Sequence, residues 1–272
     1  MSFVWDTTRV QVMGILNVTP DSFADGGRYH DVAAAVAHAR VMAGAGAGIL
    51  DVGGESSRPG APAVSAAEEL GRILPVIERL DGLLVSVDTT KAVVAERALA
   101  AGARIVNDIS ALRFDPGVVE VVRQAGAGLV LMHMQGTPAT MQQQPRYGDV
   151  VAEVREFLRE RIEFALAHGL KKTQIAVDPG IGFGKTAAHN LALLARLDEF
   201  SELGCPVLVG ASRKSFLGHT LGRTVEQRLP GSLAVAAWAV LHGAAVVRVH
   251  DVAETVDAVR MMETLKAHGT SP

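Results

Sequence analysis

Eight short stretches of the 272-residue sequence end in side chains able to do chemistry. Asn17 ends the first. Asp51 ends the second and is followed by Glu55-Ser56-Ser57-Arg58-Pro59-Gly60. Asp88 and Thr89 end the third, Asn107 and Asp108 the fourth, Met132 and His133 the fifth. The sixth ends in Asp178-Pro179-Gly180. The seventh runs into Ser212-Arg213-Lys214-Ser215, and the eighth carries Arg248-Val249-His250-Asp251. Carboxylates suit an amidine- or guanidine-like edge, whereas Lys and Asn suit carbonyl and ring-nitrogen acceptors. A flat ligand rich in donors and acceptors meets both needs, with Asp88, Asn107, Asp178 and Lys214 at its edge and Met132 and Phe183 on its faces. Arginine clamps phosphate well, so Asn17, Arg58, Arg248 and His250 suit an anionic, phosphorylated part of the ligand. The Asn17 amide oxygen is compatible with Mg2+ that keeps several waters and a phosphate oxygen.

Taken alone, each of these residues has a plainer use. Asp88 and Asp178 could cap the helices that follow them, and Asp178-Pro179 has turn chemistry. Lys214 alone reads as a solvated surface lysine, and Arg248 with His250 as a salt-bridged rim pair. His133, flanked by methionines, reads as a satisfied core histidine, and Asp51 as a tie between loops. Their joint occurrence at the ends of like segments favours one polar site.

The segments that must position them are apolar and rich in β-branched residues: Val10–Val18, Gly48–Gly53, Leu83–Asp88, Arg104–Ile109, Gly128–Met134, Gln174–Asp178, Pro206–Ala211 and Ala245–His250. Continuous rather than alternating hydrophobicity indicates strands covered on both faces. Between them lie stretches with 3.6-residue apolar spacing. These are Val32–Ala45, a helix opened by Ser65 with Glu68 three residues on and running to Leu80, Lys91–Ala101, Pro116–Ala125, Val151–His168, Ala187–Leu203, Ser232–Leu241 and Val252–His268. Glycines 102, 126, 204, 243 and 269 stop five of these helices or follow shortly after. Two long connections, Gln135–Tyr147 and Ser215–Gly231, are expected to be functional or mobile. Eight βα units without a linker imply an α/β fold, a (β/α)8 TIM barrel forming a single domain over residues 1–272. An open doubly wound sheet is the alternative; eight strands and the absence of G-x-G-x-x-G after the first argue against it. Barrel enzymes carry their chemistry at the C-terminal strand ends, where the polar tips lie. Two-residue alternation pairs Ser212 with Lys214 and Arg248 with His250, and sets Asn107 between Ile105 and Ile109. A buried amide there needs a hydrogen-bond partner.

Other classes are poorly supported. A net charge of −3 does not suggest a nucleic-acid or membrane-surface binder. The lone Cys205 can form neither an internal disulfide nor a multi-cysteine zinc site. The longest apolar run, Leu233–Val247, is broken by His242 and Gly243 and is too short to span a bilayer. The first nine residues lack a signal-peptide pattern. The expectation is a soluble, cytoplasmic protein. Gly184-Lys185-Thr186 looks like the end of a P-loop, but the first glycine of that motif would fall at Pro179. No H-E-x-x-H, CxxC or G-x-S-x-G is present.

The motifs together resemble the dihydropteroate synthase family: MGILNVTPDSF at 13–23, DVGGESSRPGA at 51–61, SVDTTK at 86–91, IVNDIS at 105–110, LMHMQGTPATMQ at 131–142, DPGIGFGKT at 178–186, GASRKSF at 210–216 and RVHDV at 248–252. The resemblance covers nearly the whole chain. It implies a TIM barrel, a homodimer, and condensation of 6-hydroxymethyl-7,8-dihydropterin diphosphate with p-aminobenzoate to give 7,8-dihydropteroate and diphosphate. It further implies that Asp88, Asn107, Asp178 and Lys214 hold the pterin and that Asn17 contacts Mg2+. Ser57, Arg58, Arg248 and His250 would serve the diphosphate end, and Phe23, Pro59, Lys214 and Ser215 the p-aminobenzoate, with Asp21 helping to order the first loop. Ser57 stands where family members often carry threonine; both bring a hydroxyl. Sulfonamides mimic p-aminobenzoate, so inhibition by them is implied as well. Asn17 is expected to be rigid and Thr19–Phe23 mobile until substrate arrives. A methyltetrahydrofolate:corrinoid methyltransferase and a non-catalytic pterin-binding paralogue are the competing readings.

Overall fold

Runs of Val, Ile and Leu become parallel strands when helices cover their outer face and like strands enclose their inner face. In the computed structural model, which describes residues 2–19, 27–58 and 60–269, eight strands do this. They are β1 (Gln11–Asn17), β2 (Ile49–Gly53), β3 (Val85–Asp88), β4 (Ile105–Asp108), β5 (Gly128–Met132), β6 (Ile175–Asp178), β7 (Val207–Val209) and β8 (Ala244–Val249). Each pairs in parallel with the next, and β8 returns to pair with β1, Gln11 opposite Val246, which closes the barrel. The (β/α)8 fold expected from the sequence is the one observed.

Helices α1 (Gly27–Gly44), α2 (Ala66–Ile77), α3 (Ala92–Ala100), α4 (Gly117–Ala125), α5 (Val150–Ala167), α6 (Ala187–Ala195), α7 (Ser215–Leu221), α8 (Leu229–Leu241) and α9 (Val252–Gly269) form the outer ring. Ser65 caps α2 by accepting from the Glu68 amide at 3.2 Å. The Glu68 carboxylate turns instead to Arg72, so only half of the expected capping box forms. Thr186, from the P-loop-like triplet, is the N-cap of α6 and accepts from the His189 amide at 3.2 Å. That satisfies one of the orphan donors of the helix start.

Two expectations are corrected. Ala187–Leu203 is not one helix. The α-helix ends at Ala195, and Leu197–Leu203 winds as a 3-10 helix. Leu197, Phe200 and Leu203 recur every three residues and are all buried, which suits the tighter winding. Ser215–Gly231 is not a long loop either. It holds α7, a 3-10 turn at Val225–Gln227 and the start of α8, because Phe216 and Leu217 bury against the barrel. The other long connection, Gln135–Tyr147, contains no helix or strand but is tied to the β6–α6 loop. Gln142 donates to the Gly182 carbonyl at 2.9 Å and Tyr147 to that of Gly184 at 2.8 Å.

Inside the barrel, Met13, Ile49, Ile105, Val130, Ala176, Leu208 and Val246 form one apolar layer. Trp5 seals it at the N-terminal ends of the strands. Trp5 is 5% exposed, its Nε1 donates to the Gln174 carbonyl at 2.9 Å, and its ring meets Phe3 edge-on at 5.3 Å. The opposite mouth stays free of apolar filling. Trp5→Ala should therefore cost about 3–5 kcal/mol of unfolding free energy, read as an earlier urea midpoint, while ligand affinity at the far mouth stays within twofold of the parent.

Candidate active site

One alternation beyond the apolar layer, the inward faces turn polar. Asp51 follows Ile49, Ser86 follows Leu84, Asn107 follows Ile105, Asp178 follows Ala176 and Arg248 follows Val246, each by two residues. Two glycines keep the space between these groups open. A Cβ on Gly53 would sit 3.5 Å from Asp88 Cβ and 3.9 Å from Asn17 Oδ1. A Cβ on Gly210 would sit 3.8 Å from Arg248 Cβ and 3.9 Å from Asp178 Oδ2. The C-terminal mouth is thus a concave polar floor.

Asp51 is the hub of that floor. It is fully buried, and its Oδ2 accepts from Asn107 Nδ2 at 3.0 Å and from Arg248 Nε at 2.6 Å. Arg248 reaches on to Asp88, donating through Nη2 to Oδ2 at 2.8 Å. The amide expected to need a partner between Ile105 and Ile109 has one. Burial raises the Asp88 carboxyl above its ordinary range, and the Arg248 guanidinium opposes the rise. Burial likewise raises Asp178, here opposed chiefly by the Lys214 ammonium. Asp178 Oδ1 accepts from the Gly180 amide at 2.7 Å, so its local role is the turn, not the helix cap. Asp88 caps nothing either, since α3 begins at Lys91 without a side-chain cap.

Lys214 is not a surface lysine. Its Nζ lies 4.5 Å from the centroid of the Phe183 ring and donates to the Ile181 carbonyl. Burial pushes it down to about 8, with Asp178 opposing. Phe183 packs against Ile109, Met132, Met134 and Met141, a polarizable apolar wall beside the polar floor. Met132 and Phe183, expected on the faces of a flat ligand, both belong to this one wall. His250 carries out the strand alternation: its Nδ1 lies 3.1 Å from Ser212 Oγ. Burial, reinforced by Arg248 and Arg213, pushes it down to about 4, so it is a neutral imidazole near pH 7.

The anion-binding set is less assembled. Asn17 ends β1 half-buried, Ser57 is half-buried, Arg58 is exposed, and Ser215 is exposed at the first position of α7. Among the described residues no hydrogen bond joins Ser57 or Arg58 to Arg248 or His250. Arg248, read from sequence as part of an anion clamp, spends its guanidinium on two carboxylates instead. The root of the Ser57–Arg58 loop is anchored by Lys91, which bridges Glu55 and, at 2.6 Å, the fully buried Glu69. Asp21, Phe23 and Pro59 lie outside the described residues. His133 is a core histidine, buried edge-on against Phe157 at 4.8 Å and 2.9 Å from Lys185 Nζ. Sequence reasoning undervalued Asp51, paired Ser212 with Lys214 rather than with His250, and met Lys185 only as part of a failed motif. For Asp51 the signal was there: it stands two residues after Ile49, as Asn107 does after Ile105.

A family profile described as "Pterin binding enzyme" matches residues 13–250. Over 266 residues the chain is 50% identical to the dihydropteroate synthase of Escherichia coli strain K12, covering 96% of this chain and 94% of that one. The chain belongs to the dihydropteroate synthase family. Its fold agrees closely with solved dihydropteroate synthases from Xanthomonas albilineans. One, with 4-aminobenzoic acid, gives a TM-score of 0.90 at 50% identity over 98% of this chain and 95% of that chain. Another, in complex with 7,8-dihydropteroate, gives 0.87 at 48% identity over 98% and 96%. For a dihydropteroate synthase built this way, Asp51→Asn should release Arg248 and Asn107 from their shared carboxylate. Steady-state kinetics should show kcat/KM reduced about 10²-fold, the penalty of a displacement near 1 Å; an unchanged kcat/KM would separate the hub from turnover.

Proposed function

We propose that this protein condenses 6-hydroxymethyl-7,8-dihydropterin diphosphate with p-aminobenzoate, forming 7,8-dihydropteroate and releasing diphosphate. The observation that carries this reading is the convergence of buried Asn107 and Asp178 with half-buried Asp88 and Lys214 at the polar floor, with Arg248 on β8 and His250 just beyond it. Asp88 and Asp178 offer acceptors to the amino and ring N–H edge of a pterin. Asn107 and Lys214 offer donors to its carbonyl and ring nitrogens. Phe183 and Met132 flank the ring. Relatives solved with 4-aminobenzoic acid and with 7,8-dihydropteroate support the same substrate and product.

The reaction breaks the C–O bond to diphosphate, and both electrons leave with the oxygen. Positive charge develops on the methylene carbon next to the pterin, where the carboxylates of Asp88 and Asp178 favour it. The neutral aniline nitrogen of p-aminobenzoate then forms the C–N bond and gives up a proton. The departing diphosphate competes with Asp51 and Asp88 for the Arg248 guanidinium. His250 contributes an N–H as a neutral ring, and the incoming anion raises its pKa. Ser57 and Arg58 complete the anion site. Phe23, Pro59, Lys214 and Ser215 form the second-substrate pocket.

The site suits Mg2+. The Asn17 amide oxygen and Asp88 carboxylate flank the gap left by Gly53, and both are hard oxygen donors. Among the described residues no group of three His, Cys, Asp or Glu could hold a metal alone, so diphosphate and water oxygens would complete the shell. Bound there, Mg2+ neutralises charge on the leaving group. The proposal extends to a cytoplasmic homodimer. Among the described residues no helix is long and apolar enough to cross a membrane. α6, α7 and α8 pack on one another and leave Leu191, Leu221, Trp238 and Leu241 exposed, a patch suited to a second copy.

A coupled assay for diphosphate release, with and without p-aminobenzoate and Mg2+, tests the activity. Release should require both, and Lys214→Ala should lose pterin affinity and turnover together. Pterin binding without release would identify a non-catalytic paralogue. Because Lys214 loses its charge as pH rises through about 8, kcat/KM for the pterin substrate should fall on the alkaline side with an apparent pKa near that value. Lys214→Gln should abolish that limb; a limb that survives the substitution belongs to another group.

A further inference from the structure

The Gly184-Lys185-Thr186 triplet does not complete a P-loop, because Pro179 stands where the motif needs glycine, yet Lys185 is only 3% exposed. A buried lysine requires acceptors. Its Nζ lies 2.9 Å from His133 Nδ1, 3.0 Å from the Gly180 carbonyl and 3.0 Å from the Phe183 carbonyl, with the His133 carbonyl at 3.4 Å. Three close acceptors match the three N–H bonds of an ammonium. Burial pushes His133 down to about 2, with Lys185 reinforcing, which keeps that ring neutral and its Nδ1 free to accept. Burial pushes Lys185 itself well below the ordinary lysine range, and the Asp178 carboxylate opposes that fall.

The neighbouring backbone shows what this arrangement holds. All five consecutive carbonyls from Gly180 to Gly184 accept from side chains. Lys185 takes those of Gly180 and Phe183, Lys214 that of Ile181, Gln142 that of Gly182 and Tyr147 that of Gly184. Gly180 and Gly184 have φ of +69° and +63°. A Cβ at Gly180 would fall 1.9 Å from the His133 carbonyl oxygen, and one at Gly184 would fall 2.8 Å from that of Gln135. The segment is pressed onto the chain leaving β5, and Lys185 is the one side chain that pins it from beneath at two points. Phe183, which underlies the Lys214 amine, and Asp178, which caps the Gly180 turn, both belong to it or adjoin it.

We propose that Lys185 is a positioning residue for pterin binding: it locks Gly180–Gly184 into a preformed wall of the pocket, setting Phe183 and the Lys214 amine before substrate arrives. This rests on the pterin reading above. Lys185→Met should weaken binding of 6-hydroxymethylpterin at least tenfold by calorimetry, and Lys185→Gln, which keeps two N–H donors, by less. Asp178 is faced by Lys214, Lys185 and Arg248, all of which favour its charged form. Removing Lys185 should therefore move the acid limb of kcat/KM to higher pH, a shift that loss of global stability alone does not produce. A folded Lys185→Met enzyme with parental pterin affinity and an unmoved acid limb overturns the assignment. If that variant does not fold, Lys185→Gln bears the same comparison. Amide exchange in the unliganded parent adds a readout free of substitutions: a locked wall exchanges as slowly as the barrel strands, and fast exchange from Gly182 and Phe183 overturns the proposal. Failure of the parent itself to bind 6-hydroxymethylpterin would sink the pterin reading, whereas equal binding by parent and variants sinks only the role of Lys185.

Discussion

The upper half of this barrel depends on one guanidinium shared between two carboxylates. Arg248 lies between Asp51 and Asp88, and Asp51 has no solvent to fall back on. Buried charges of this kind lose several kcal/mol of hydration each, recovered only through close, directed partners. The pairing links β8 to β2 and β3 across the barrel interior and draws Asn107 from β4 into the same set. Four strands are held in register by polar contacts at the level where apolar filling stops. The same guanidinium thus fixes both the shape of the floor and the balance of charge on it.

Charge on this floor is set by burial first and by partners second. Asp88 and Asp178 are raised, Lys214 and His250 are lowered, and in each case desolvation is the largest cause. Opposite charges a few ångströms away restrain the shifts of the carboxylates and of Lys214. A floor of this kind favours a ligand that supplies donors and acceptors in fixed positions, because every unmatched polar atom leaves a desolvation cost uncompensated.

Much of this was legible before any coordinates. Eight apolar runs with polar tips located the strands and the mouth, and two-residue alternation enclosed Asn107 between isoleucines; the expected pairing of Ser212 with Lys214 does not follow strand alternation, because β7 ends at Val209 and both lie in the turn beyond it. What could not be read was direction. Arg248 is long enough to turn toward phosphate or toward carboxylate, and only the closure of β8 on β1 brings Asp51 within its reach. The break at Arg196 was hidden because Leu197, Phe200 and Leu203 share a side in either winding, in line on a 3-10 helix and within about a third of a turn on an α-helix. Ser215–Gly231 looked like a loop because Phe216 and Leu217 alone carry the burial of α7, too few positions for a periodic pattern. Lys185 was set aside with a failed motif. Its contact with His133 spans 52 residues of chain, which local spacing does not reveal.

The side-chain saturation of the Gly180–Gly184 carbonyls has a consequence for how the pocket is encoded. That segment takes its shape from donors on the β7–α7 turn and on the Gln135–Tyr147 connection, as well as from the lysine that follows it. Its signature residues are local, whereas its geometry is distributed. Transplanted into another barrel, the DPGIGFGK string would bring the letters of the site without its form.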